Sequence, residues 1–139
     1  MSRLVVGFGN VFRKDDGAGH QVIERLASPD AIAARDGAVE IVDQLAEHDE
    51  VVLVDAVTSG AAAGTIHRFR DGQVFPRSWG GSSHSMGLVE VVELARTLGT
   101  LPERVSVIGI EVDDTGEGLG LSMPVEAAVA TVVEELNRA

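Results

Sequence analysis

Four side chains stand out as able to do chemistry: Asp15, Asp16, Asp55 and His84. Asp15 and Asp16 lie between Gly7-Phe8-Gly9-Asn10 and Gly17-Ala18-Gly19, where an aliphatic run gives way to a helix start. One aspartate suffices to cap that helix, a contribution of about 1 kcal/mol. The second is then free to point into a crevice. Asp55 directly follows Val51-Val52-Leu53-Val54. It is either a turn aspartate bonded to amides near Thr58-Ser59-Gly60, or a carboxylate, buried or at a strand tip, that needs a partner, a proton or a metal. His84 lies in Ser82-Ser83-His84-Ser85, ahead of a helix-patterned stretch. It is either a polar loop residue or, because a helix N-terminus disfavours imidazolium, a neutral ligand. Together Asp16, Asp55 and His84 make an O,O,N set, which suits a borderline divalent ion such as zinc or nickel and leaves coordination positions open. Ser83 and Ser85 fit helix caps. They leave a Ser-His-Asp arrangement open, although no Gly-x-Ser-x-Gly elbow is present.

Other chemistries are disfavoured. Gly7 and Gly9 match the first two glycines of a dinucleotide fingerprint, but Phe12 occupies the third. No Gly-Lys-Ser/Thr exists, and Asp15 and Asp16 have the wrong sign for a phosphate at a helix N-terminus. The chain has no cysteine, which removes disulfides, thiol nucleophiles and thiolate metal sites. A net charge of −11, with Lys14 the only lysine, argues against nucleic acid. No apolar run reaches membrane-spanning length and no signal peptide is evident, so a cytoplasmic protein is expected. His20, His48 and His67 lack ligand spacing and are expected at the surface. Asp113 and Asp114 are expected in a solvated loop.

The elements that would position these residues follow from the hydrophobic pattern. Leu4-Val5-Val6, Ala38–Val42, Val51–Val54 and Val105–Val112 read as buried strands, and Gly64–Phe69 as an edge or antiparallel strand ahead of Asp71-Gly72. Helices are expected over Gly17–Ala27, Ser85–Leu98 and from Pro124 onward, with a further turn at Ala31–Arg35. Pro76–Ser83 reads as a loop. One domain over residues 1–139 is expected: a three-layer α/β/α sandwich around a mostly parallel, twisted sheet of about five strands. One segment is anomalous. Only Gln44–Glu50 separates the second and third expected strands, whereas a parallel crossover needs about a dozen residues or more.

The order of these motifs resembles the nickel-iron hydrogenase maturation proteases. Gly7-Phe8-Gly9-Asn10 with Asp15-Asp16-Gly17-Ala18-Gly19 is similar to their N-terminal signature, and Val51–Val57 to their second acidic motif. Ser83-His84-Ser85-Met86-Gly87-Leu88, with Leu101-Pro102-Glu103-Arg104-Val105 through Ile110, is similar to their histidine motif and the strand after it. The resemblance implies a nickel-dependent, aspartic-type or metal-gated endopeptidase. Such an enzyme removes a C-terminal extension from the hydrogenase large-subunit precursor after nickel insertion. By motif, Asp16, Asp55 and His84 would be both the catalytic residues and the metal ligands. Nickel would be presented by the substrate rather than permanently bound. Relatives often carry Glu at the first of these positions. They also continue after the second strand with a Gly-Gly-Thr-x-Gly loop and a full helix, where this chain passes straight from Asp43 to Gln44. A deletion or missing residues at that junction is therefore expected. No nucleic acid or membrane partner is implied, and a monomer is expected. Two other functions fit the same residues: a non-catalytic metal-sensing or assembly-chaperone module for hydrogenase maturation, and a nucleotide-binding α/β domain.

Overall fold

Alternate side chains of β1 (Arg3–Gly7) enter two different cores, as a strand covered on both faces requires. Leu4 and Val6 join one core, and Val5 the other. The computed structural model describes residues 2–34, 39–70 and 87–138. The remaining described elements are α1 (Ala18–Leu26), β2 (Ala31–Ala33), α2 (Val39–Leu45), β3 (Glu50–Val57), β4 (Ile66–Arg70), α3 (Leu88–Leu98), β5 (Arg104–Glu111) and α4 (Met123–Arg138). The sheet order is β2-β1-β3-β5-β4, parallel except for β4, which pairs antiparallel with β5 at one edge.

The helices divide between the faces. Val22 of α1 and Val125, Val129 and Val132 of α4 pack with Val52, Val54 and Ile110. Val42 and Leu45 of α2 and Val91, Val92 and Ala95 of α3 pack with Val51, Leu53 and Val107. The expected three-layer sandwich with a mostly parallel five-stranded sheet is present. Among the described residues no helix is long and apolar enough to cross a membrane.

The middle of the chain corrects the sequence reading. Ala31–Ala33 is a strand rather than a helical turn, and Val39–Leu45 is a helix rather than the second strand. Ile41, Val42 and Leu45 are buried while Asp43 and Gln44 are exposed, a helical stripe rather than an alternation. The crossover from β2 to β3 therefore occupies residues 34–49, and the anomaly disappears. Asp43 and Gln44 are consecutive residues of one unbroken helix.

From β1 the chain turns toward β2, and from β3 it proceeds toward β4 and β5. Neighbouring strands whose connections diverge leave a crevice beyond their C-terminal ends, where open α/β sheets bind ligands. The first turn of α1 is pressed flat against that end of the sheet. A Cβ on Gly19 would lie 2.5 Å from the Phe8 carbonyl oxygen and 2.7 Å from that of Val54.

Candidate active site

Gly9 opens the site. Its φ of +114° lies in a region that side-chain-bearing residues rarely adopt. A Cβ there would strike the Asp16 carbonyl oxygen and lie 3.7 Å from Asp55 Oδ1. A bare backbone at this point lets the loop after β1 close over the end of β3. Asn10 then donates its N–H to Asp16 Oδ2 at 2.9 Å, and its side-chain oxygen accepts from the Phe12 N–H at 2.9 Å. Asp16 sits in the single 3-10 turn Lys14–Gly17 that precedes α1.

The twin aspartates have separate jobs. Asp15 is completely buried. Its carboxylate accepts from the N–H groups of Asp113 (3.0 Å), Asp114 (2.9 Å) and Ser122 (2.7 Å), and from the Ser122 hydroxyl (2.7 Å). Burial alone would raise its pKa, but the bonds from Asp114, Ser122 and Asp113 outweigh it and hold the carboxyl below its ordinary value. Asp15 is thus a latch that binds the glycine-rich loop after β5 to the turn bearing Asp16. Lys14 adds to the latch. Its φ is 48°, its N–H donates to the Gly118 carbonyl (3.1 Å), and its Nζ pairs with Asp114 (3.0 Å). Asp113 and Asp114 are solvated at their side chains as expected, but their backbone amides are structural.

Asp55 is not at a strand tip. It lies inside β3, in register with Gly109 of β5, and is partly buried. Its Oδ1 accepts from the Ala56 N–H at 2.8 Å. Burial, then the negative charge of Asp16, and to a smaller extent that of Glu90, push its pKa up to about 8 against the Ala56 bond. Asp16 and Asp55 are therefore brought together as electrostatic neighbours at the β1–β3 crevice. Glu90, in the first turn of α3, is a third acid that the sequence reading missed. Its Oε1 accepts from the Gly87 N–H at 3.1 Å, and a Glu three residues past a helix cap was the available signal.

His84 lies outside the described residues, so the third member of the O,O,N set is not positioned. Among the described residues no group of three or more His, Asp or Glu is arranged to hold a metal ion. The histidines assigned to the surface are more enclosed than expected. His20 Nε2 and His48 Nδ1 are buried without a hydrogen-bond partner. His67 is only partly exposed, and its Nε2 lies 3.0 Å from Glu111 Oε1. Glu111 is itself 1% exposed and accepts from the Ser59 N–H (2.8 Å) and hydroxyl (2.6 Å). Burial pushes Glu111 up, but Ser59 and His67 together hold it below its usual value. This is not a nucleophile arrangement, because the serine hydroxyl donates to the carboxylate rather than to the imidazole. It anchors the β3–β4 connection to the end of β5.

Known proteins carry a similar fold and a related sequence. The sequence model of the hydrogenase maturation proteases matches residues 30–139. The chain is 29% identical over 146 residues to hydrogenase 2 maturation protease of Escherichia coli K12, covering 98% of this chain and 88% of that one. It is 32% identical over 149 residues to hydrogenase expression/formation protein HupD of Rhodobacter capsulatus, covering 96% and 70%. Among solved structures, the hydrogenase maturating endopeptidase HybD from E. coli superposes with a TM-score of 0.78 at 25% identity, covering 98% of this chain and 90% of that one. With a family model spanning most of its length and relatives aligned over nearly all of it, this chain belongs to the hydrogenase maturation protease family of endopeptidases.

Proposed function

We propose that this protein removes the C-terminal extension of a nickel-iron hydrogenase large-subunit precursor, in the cytoplasm, after nickel has been inserted. Asp16, Asp55 and His84 grip the nickel that the substrate carries. The observation behind this reading is that Asp16 and Asp55, 39 positions apart in sequence, both flank Gly9, the first by its backbone carbonyl and the second by Oδ1, and that the charge of Asp16 acts on the Asp55 carboxyl. Two acids that repel each other in partial burial favour a divalent cation, and one imidazole completes a set suited to nickel. Below about pH 8 Asp55 carries a proton, so metal capture at Asp55 is coupled to proton release.

Nickel acts here as a gate that admits only a loaded precursor to an aspartate-based endopeptidase site. Hydrolysis adds water across one backbone C–N bond and yields a new carboxylate and the amine of the released peptide. The test is incubation with nickel-loaded precursor, with the mass of the product as readout. The wild type is expected to shorten the precursor. Asp16→Asn, Asp55→Asn and His84→Gln are each expected to slow this by more than about 100-fold, beyond the loss of an outer-shell metal partner. Full cleavage by all three variants would eliminate the proposed roles.

A further inference from the structure

We infer that Phe12 and Leu119 form the docking surface for an apolar, base-flanked segment of the precursor, directly beside Asp16. This inference rests on the proposed precursor-processing function. The chain has only four phenylalanines and one tryptophan, and it leaves Phe12 69% exposed. Leu119 is 74% exposed and Met123, just beyond the latched Ser122, is 87% exposed. Among the described residues these are three of the four exposed large apolar side chains; the other, Leu98, ends α3, ahead of the N-terminal end of β5. Apolar groups gathered at one place on a soluble chain mark a binding surface more often than scattered ones do.

The patch is continuous with the candidate active site and is held rigid. The Gly118 N–H donates to the Phe12 carbonyl at 2.9 Å and the Gly118 carbonyl accepts from the Lys14 N–H at 3.1 Å, a parallel bridge that sets Glu117 opposite Phe12 and Leu119 opposite Lys14, diagonally across from Phe12. Phe12 is bonded to Asn10, and Asn10 to Asp16, so the surface and the proposed nickel ligand are two ends of one short hydrogen-bonded chain. Asp15 fixes both loops from beneath, and the Arg13 Nε donates to the Thr115 carbonyl at 3.1 Å. Ordering cost is therefore already met before a partner arrives, which favours binding.

Charge selects the chemistry of that partner. Lys14 is neutralised by Asp114, whereas Asp113 and Glu117 are exposed in the same loop of a chain with net charge −11. An apolar side chain flanked by lysine or arginine fits both the knob and its surroundings, and its seating delivers the precursor toward Asp16.

The experiment compares Phe12→Ser, Leu119→Ser and the double variant with Leu98→Ser, using nickel-loaded precursor and reading both its Kd and its processing. The double variant is expected to raise KM and Kd by about tenfold or more while kcat stays within about twofold, since uniform binding is what it removes. Leu98→Ser is expected to match the wild type. A double variant with wild-type KM and Kd overturns the docking surface even if processing is normal. If the wild type binds the precursor without cutting it and the double variant binds weakly, docking stands and the protease reading falls. If the wild type neither binds nor cuts, both fall.

Discussion

Asp15, fully buried, and Asp55, partly buried, are acids with opposite pH signatures. Asp15 has a folded-state pKa below its unfolded value of about 3.9, so the stability it contributes is present above that value and disappears as pH falls through the folded one. Asp15→Asn places amide hydrogens against amide donors and is expected to cost about 2–4 kcal/mol at pH 7, with the deficit shrinking below about pH 4. Urea unfolding at a series of pH values reads this directly. For Asp55 the folded value is about 8, so the folded chain keeps a proton that the unfolded chain has released. Stability is then lost as pH rises from about 4 toward 8. Asp55→Asn cannot ionise, so its stability relative to the wild type should grow from pH 6 to pH 9, and a constant difference would contradict the assignment. Sequence singled out Asp55 because it follows a buried aliphatic run, and Asp16 because it is one of two aspartates in a glycine-bracketed loop where one cap suffices. It could not distribute labour within Asp15-Asp16, because that depends on amides almost a hundred positions away. It likewise could not reveal Glu111, whose partners come from two other elements.

Among the elements, α1 combines close packing at one end with backbone strain at the other. Gly19→Ala would drive a methyl into the Phe8 and Val54 carbonyls, neither of which can give way without moving a strand. The expected loss is at least about 3 kcal/mol, in the range of severe overpacking, seen as a lowered urea midpoint. At its other end α1 stops on Ala27, with φ of 47° and its N–H bonded to Ile23. Ala27→Gly removes a left-handed strain on an exposed residue and is expected to raise stability by about 0.5–1 kcal/mol, measurable as a higher Tm. Most elements were legible because their burial repeats along the chain: β1, β3, β5, α3 and α4 all fall within a few residues of the expected spans. β4 was legible as an edge strand from its alternation. The failure at residues 31–45 has a physical cause. Ala-Ile-Ala has helix-forming composition, yet its pairing with β1 decides its state, and Ile41-Val42 read as a strand until Leu45 completed a helical face.

At the scale of the whole molecule, a sheet clothed on both faces must be stable enough to carry a net charge of −11. That charge destabilises the compact state through self-repulsion, which salt screens. Raising KCl from about 20 mM to about 500 mM is expected to lift Tm by a few degrees, and an unchanged or lowered Tm would show that specific ion pairs such as Arg25–Glu126 and Arg68–Glu135 outweigh the repulsion. The long reach of Asp15 has a further effect during synthesis. Its partners at Asp113 and Ser122 are translated 98 and 107 positions later. A growing polypeptide therefore exposes both acids of the crevice well before it can fasten the loop that holds them, and contacts so distant in sequence form late. A nascent chain halted before Ser122 holds the aspartates without the amide and hydroxyl that brace Asp15, so the crevice is fastened only once Ser122 has been made.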